Sequence, residues 1–456
     1  MLSLKRIITL TLLVSAVASA IPLFALQQTG VGDPHHTMGK RYHDRVALIE
    51  TGEDGARLRI DLVESAQKTI DISYYTFTGG RFTNVMLSLL LAKADEGVHV
   101  RILCDGLTSL VYERKELKDA LRAFETHPNI EVKYYEKFSL LTPWSWQKRL
   151  HDKIIITDGK LALIGGRNIG DKYFIQEEYL QRFVNDRDAL VYHQGEGESV
   201  IGDMQHYYDQ MWGYKHTKVR KKGITARQRE RAEPTFAWLR ALSTKVRADH
   251  PELFQPIDWK ERTYDAEAIE FVHNPLGRHK KDPWCLMALL EMASQAESSI
   301  FVQSPYIIPT RSMRSLIRSY DIDMELVTVL TNSKRSSPNP IAVAGYYNHR
   351  KAIVDRVNKV YEYQGPDSIH SKSYLFDDSV SIIGTFNLDS RSSYINTESM
   401  LIIHSKEFAS DLDHEIQAYV DNSVLVRDDY TYAGQAEDKR PFWLFSKLVG
   451  LFEYYL

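Results

Sequence analysis

His151-Asp152-Lys153-Ile154-Ile155-Ile156-Thr157-Asp158-Gly159 carries the pattern H-x-K-x-x-x-x-D, and His370-Ser371-Lys372 with Asp377 repeats it in the second half of the chain. On an extended strand, residues two apart project from the same face. Each His/Lys pair is therefore expected to point one way while the following apolar residues fill a sheet. Asp158-Gly159 reads as a hairpin turn, and the return strand ends at Gly165-Gly166. Glycines there allow close backbone approach to whatever sits beside His151. The second copy continues through Ile382-Ile383-Gly384-Thr385-Phe386-Asn387. Asn168 and Asn387 each lie 17 residues beyond their histidine. One such pattern is readily incidental; two with matched offsets are not.

Outward from the motifs, the chain repeats itself weakly. Ala66 to Tyr75 and Ala296 to Tyr306 both read as a helix end, a turn and a strand. Helices are expected over Asn84 to Glu96 and Met313 to Tyr320. Apolar strands follow over Val98 to Cys104 and Leu326 to Thr331, each ending on a polar residue, Asp105 or Asn332. A further helix and a strand (Ile130 to Tyr135; Val360 to Tyr363) lead into each motif. Strands alternating with helices indicate an α/β sheet in each half. The duplication indicates two similar α/β lobes with one active site at their interface. The expected divisions are 1–26 (signal peptide or membrane anchor), 45–212 (first lobe), 213–265 (basic linker), 266–425 (second lobe) and 426–456 (aromatic tail).

At 456 residues the chain exceeds one small core, and its composition is 43% hydrophobic and 26% charged, as in globular proteins. A net charge of −3 gives no global signal for nucleic acid. Cys104 and Cys285 make neither a disulfide framework nor a zinc site, and Cys104 reads as a buried free thiol. Lys5 and Arg6 precede an uncharged run from Ile7 to Leu26, containing Ala18-Ser19-Ala20. This run fits a cleaved export signal or an uncleaved anchor, so the body is expected in the cell envelope, exported or membrane-anchored. The basic run Lys215 to Arg231 and the aromatic run Pro441 to Leu456 each have two readings. They suit a surface of anionic lipid, or else a solvated linker and a helix packed on the core.

Two His, two Lys and two Asn in one pocket suit a phosphodiester. Lys153, Lys372, Asn168 and Asn387 are expected to hold the non-bridging oxygens, with Gly165, Gly166 and Gly384 beside them. One imidazole attacks phosphorus and the other protonates the leaving oxygen, with no metal or cofactor required. Asp158 and Asp377 complete the motif, and their turn positions point to a structural use of the carboxylates. A nucleophilic histidine needs a fixed tautomer, hence an acid partner. Glu398 is one candidate; Asp186 and Asp188 are the candidates in the first half.

The two H-x-K-x-x-x-x-D motifs with their GG-x-N and G-x-x-N tails resemble the phospholipase D superfamily over roughly residues 45 to 425. Gly165 to Phe174, Asn387 to Ser392 and Asn396-Thr397-Glu398, with Tyr346 and Arg350, are similar to bacterial cardiolipin synthases of the type C-like branch. That resemblance implies a phosphohistidine intermediate, His151 as nucleophile, His370 as acid and base, and Glu398 orienting a histidine. It implies a phosphatidyltransferase acting on phospholipid at a membrane surface, as a monomer and without nucleic acid. Phospholipase D hydrolysis releasing phosphatidic acid is the alternative, and a nuclease-type phosphodiesterase a further one. Residues 215 to 282 match the branch poorly.

Overall fold

The computed structural model describes residues 39–456 except 113–114, 140, 143–144, 180–182, 196, 221–222, 279–280, 428–429, 431–442, 451–453 and 455–456. The apolar segment 1–26 and part of the aromatic tail thus lie outside the described residues. Among the described residues, no helix is long and apolar enough to cross a membrane.

The apolar runs around the motifs become central strands of two eight-stranded sheets. The first sheet runs Ile130–Tyr135, His99–Asp105, Thr69–Tyr74, Lys153–Thr157, Leu161–Gly165, Asp188–Tyr192, Arg45–Ile49 and Tyr264–Asp265. The second runs Lys359–Tyr363, Val327–Asn332, Ile300–Gln303, Ser373–Phe376, Val380–Gly384, Ser399–His404 and Ala268–His273, with Ser423–Leu425 beside Lys359–Tyr363. Seven strands correspond one to one. In both sheets the first three are parallel and the rest antiparallel. Parallel neighbours need crossovers, and helices supply them: Arg81–Asp95 and Lys115–Phe124 in one lobe, Arg311–Ile317 and Pro340–Val354 in the other.

The motif strands are apolar at nearly every position because both faces are buried. Ile155 and Leu163 face a core under the first lobe's helices. Ile154, Ile156, Ala162 and Ile164 turn the other way and meet Leu375, Ile383, Leu401 and Ile403 of the second sheet. Helices Val200–Gly213 and Lys406–Asp421 close this shared core with Met204, Tyr207, Met211, Phe408, Leu412 and Ile416. A third core, with Ile382, Tyr374 and Ile402, lies under the second lobe's helices. The lobes are thus joined by a continuous apolar layer.

The connecting region is more ordered than a linker. Helix Ala226–Asp249 packs Phe236 and Leu239 into the first core, and Arg240 and Arg247 pair with Asp95 and Glu64. Of the basic run, Arg220 pairs with Glu125, whereas Lys215, Lys218, Arg227, Arg229 and Arg231 are exposed. At the C-terminus, helix Trp443–Gly450 rests on Pro340–Val354. There Asn348 Nδ2 donates to the Ser446 carbonyl (2.6 Å), and Tyr454 stacks on Tyr394.

Ile383 is fully buried in the shared core. Ile383→Ala is expected to cost about 2–5 kcal/mol. It should lower the urea midpoint of one transition seen equally by far-ultraviolet circular dichroism and tryptophan fluorescence. Two separated transitions would show that the lobes do not share a core.

Candidate active site

Each motif is placed by a polar side chain at the end of a parallel strand. Asp105 accepts from the Leu150 amide (3.0 Å) and from Arg149 Nη1 (3.0 Å). Asn332 accepts from the Ile369 amide (2.9 Å) and donates to the Ile369 carbonyl (2.6 Å). The residue before each histidine is thereby fixed. Both histidines precede their strands, which begin at Lys153 and Ser373, so the His/Lys pairs sit at the strand mouths, with Lys153 the first sheet residue of its strand.

Asp158 and Asp377 lie at the other end, in left-handed turns with φ of 52° and 53°. Asp158 accepts from the amides of Gln67, Lys68 and Thr69, and Asp377 from those of Glu297, Ser298 and Ser299. A strand of about five residues, on the order of 16 Å, separates each carboxylate from its histidine. The motif aspartates therefore tie their turns to the start of the neighbouring parallel strand and take no direct part in the chemistry at the histidines.

The acids that meet the imidazoles come from the opposite lobe. His151 Nδ1 lies 2.8 Å from Glu398 Oε2, and His370 Nδ1 lies 2.5 Å from Asp186 Oδ2. The backbone crosses in the same way. The His151 amide donates to Thr397 Oγ1 (2.9 Å), and the His370 amide donates to the Asn185 carbonyl (2.7 Å). Segment Ser368–Ile369 forms a parallel pair with Val184–Asn185. At His151 a carboxylate accepting at Nδ1 fixes the Nδ1–H tautomer and leaves Nε2 free for chemistry; at His370 the same Nδ1 lies against both Asp186 and, at 2.8 Å, Lys372 Nζ. Asp188, the other acid weighed from the sequence, belongs elsewhere: it pairs with Arg59 and Arg167 at 2.9 Å each.

Glu398 is itself held by Thr385 Oγ1 (2.6 Å) and Asn396 Nδ2 (3.1 Å). Lys153 and Lys372 donate to the carbonyls of their own motif histidines, and Lys372 Nζ lies 4.0 Å from Asp186. Asn168 Nδ2 donates to the Tyr173 hydroxyl (3.0 Å). Among the described residues, the Oδ1 atoms of Asn168 and Asn387 are buried with no partner; as acceptors they do not themselves bind an anion, a task for the Nδ2 groups. Tyr75 and Tyr173 flank the imidazoles edge-on, with centroids 5.1 and 6.1 Å away. The sequence reading assigned no role to Thr385, Thr397, Tyr75 or Tyr173. Tyr173, Thr385 and Thr397 follow the motifs closely in sequence, whereas Tyr75 ends the repeated segment that begins at Ala66.

The glycines do a different job from the one expected. A Cβ on Gly166 would meet Asp186 Oδ1 at 2.0 Å, one on Gly165 would meet Asp188 Oδ1 at 2.1 Å, and one on Gly384 would meet the Ser399 carbonyl at 2.3 Å. Their missing side chains make room for the acids and the adjacent strand, in place of the approach to substrate. The tail residue Asp171 likewise caps helix Arg81–Asp95 through the amides of Arg81 and Phe82. Tyr346 and Arg350 both bind Glu362, at 2.8 and 2.6 Å.

Burial, followed by the nearby lysines, sets the protonation of the site. It holds His151 well below its ordinary value and takes His370 down to about 3. Burial and mutual repulsion lower Lys153 to about 7, and burial lowers Lys372 to about 8. Burial raises Glu398 to about 7. Asp186 is also buried, but Lys372 and His370 hold its carboxyl below the ordinary range. Both imidazoles are therefore neutral in the resting site.

His370 takes up its proton near pH 3, whereas an unfolded histidine does so near 6.5. Between these values the unfolded chain binds more protons, so stability falls as pH drops from 6.5 towards 3. In His370→Asn this contribution disappears. Urea midpoints at pH 7 and pH 5 should differ less in the variant than in the parent.

With this geometry in view, comparison with known proteins places the chain. The family model of the cardiolipin synthase PLD-like domain matches residues 60–212 and 289–420, together more than half of the chain. Cardiolipin synthase C of Escherichia coli K12 is 26% identical over 422 residues, covering 84% of this chain and 86% of that protein. An uncharacterized protein of Helicobacter pylori is 28% identical over 407 residues, covering 80% and 77%. The phosphatidylserine synthase of Haemophilus influenzae shares the fold, with a TM-score of 0.66 at 12% identity over 94% of this chain and all of that one. Two matched segments, one H-x-K-x-x-x-x-D motif in each and one site between them, make this chain a phospholipase D superfamily enzyme that belongs to the cardiolipin synthase-like PLD-domain family.

Proposed function

We propose that the chain is a phosphatidyltransferase that moves a phosphatidyl group through a covalent intermediate on His151, with cardiolipin as product. The observation that carries this is the pair of neutral imidazoles, each bonded through Nδ1 to an acid of the other lobe, with Lys153 and Lys372 beside them. The relatives' names supply the lipid class.

A phosphodiester anion between the lysines offsets their repulsion, which adds to burial in keeping the imidazoles neutral, and so raises their proton affinity. His370 then holds a proton for the leaving group. Nε2 of His151 attacks phosphorus, a P–N bond forms, and the P–O bond to the leaving alcohol breaks as His370 protonates that oxygen. In the second half the acceptor hydroxyl gives its proton to His370 and attacks phosphorus. The P–N bond breaks and His151 is released. Lys153, Lys372, Asn168 and Asn387 hold the non-bridging oxygens through both steps.

The division of labour follows the acids. Asp186 is ionised and stabilises a cationic His370, which suits the group that carries the proton. Glu398 is held near neutrality by burial and imposes less charge on His151, which suits a neutral nucleophile. Substrate of this class resides in a bilayer, so the working position is the membrane surface, reached by the exported or anchored form that residues 1–26 imply.

Detergent-solubilised enzyme is incubated with phosphatidylglycerol, with and without phosphatidylethanolamine or glycerol, and the lipids are analysed. Cardiolipin is the expected product. Phosphatidic acid alone would replace the transferase by a hydrolase. His370→Ala should lower turnover by about 10²–10⁴-fold, the usual contribution of a general acid. Full activity in His151→Ala or His370→Ala would reject the mechanism.

A further inference from the structure

The two lobes differ in how they cover the outer face of their sheets. In the first lobe, crossover helix Arg81–Asp95 has 15 residues, ten of them buried. Its counterpart Arg311–Ile317 has seven, of which Met313 alone is buried. The shorter helix leaves a cavity of about 490 Å³ over the second sheet. Leu286, Leu289, Leu290, Val302, Val329 and Phe376 form its walls. Protein interiors seldom keep voids much larger than a water molecule. This volume instead falls in the range of ligand pockets, about 300–1,000 Å³.

The chemistry of the lining narrows the occupant. The walls are predominantly aliphatic with the Phe376 ring, and the polar side chains Tyr320 and His349 are few beside them, so the interior suits an apolar chain better than a polar metabolite. Among the described residues, the charged side chains at the cavity are Arg314, Arg318 and Arg356, and no carboxylate lines it. Arg318 and Arg356 are exposed, which puts positive charge at the mouth. An apolar interior under a cationic rim is complementary to an anionic amphiphile. The cavity lies on the outer face of the second sheet, whereas the histidines sit between the lobes.

We propose that this cavity takes one acyl chain of an anionic phospholipid, with the headgroup phosphate against Arg318 and Arg356. It is a lipid-binding site separate from the histidines, and it seats the second lobe on an anionic bilayer. It does not depend on the proposed transfer reaction.

The test uses the full chain carrying His151→Ala, titrated calorimetrically with monomeric dihexanoyl phosphatidylglycerol. Two saturable sites are expected, one at the lysines between the lobes and one at the cavity. Filling the cavity with Ala293→Phe, or from its edge with Ala352→Trp, should weaken the cavity site alone at least tenfold, as should Arg318→Glu with Arg356→Glu. Dihexanoyl phosphatidylcholine should bind at least tenfold more weakly. Chainless glycerophosphoglycerol should show no binding that these substitutions alter. Thermal transitions matching the parent establish that the variants are folded. Parental affinity in both filled-cavity variants would overturn the proposal, as would equal binding of the chainless headgroup.

Discussion

Each buried histidine needs a hydrogen-bond partner at Nδ1 to fix its orientation, and in this protein that partner is an acid of the other lobe. His151 of the first lobe leans on Glu398 of the second, and His370 of the second leans on Asp186 of the first. Leaving a buried polar group without its hydrogen-bond partner commonly costs about 1–3 kcal/mol. The lobes must therefore be docked before either half of the site has its protonation state. The shared apolar layer, from Ile154 and Ile164 to Ile383 and Leu401, provides that docking without contributing a reacting atom. Backbone crossings at Thr397 and Asn185 then set the register to the precision that a hydrogen bond imposes.

The arrangement has an electrostatic cost. Lys153 and Lys372 are buried close enough to repel each other, and both lie well below an ordinary lysine. An empty site is thus less favourable than one holding a phosphodiester, whose negative charge suits both lysines. Functional sites commonly concentrate such cost, while the surrounding scaffold supplies stability. Here the scaffold also anchors the motifs at their far ends, where Asp158 and Asp377 accept three backbone amides each.

Much of this was legible in the sequence, for physical reasons. The isoleucine runs after His151 and before Gly384 could only be strands buried on both faces, and duplicated spacing made two lobes. Asp158 and Asp377 read correctly as turn residues because they adjoin hairpin signals. What escaped was long-range. Nothing local distinguishes Asp186, which meets a histidine 184 residues away, from Asp188, which meets Arg59 and Arg167. The glycines were legible as points of close approach, but the approaching group, Asp186 or a neighbouring strand, is set by tertiary packing. The segment around Ala226–Asp249 reads from the sequence as a basic linker continuing as a helix to Arg247, with few buried residues to show where it packs. Only the fold shows Phe236 and Leu239 docking it on the first lobe.

The account's central claim is that two motifs make one reaction centre with a single nucleophile. The direct measurement is the stoichiometry and position of the covalent intermediate. Enzyme is quenched in alkali during turnover of a phosphatidyl donor labelled at phosphorus, and the labelled peptide is mapped. One label per chain at most, on His151 and absent from His151→Ala, is the predicted result. Two labels per chain, or label on His370 in the parent enzyme, would contradict it.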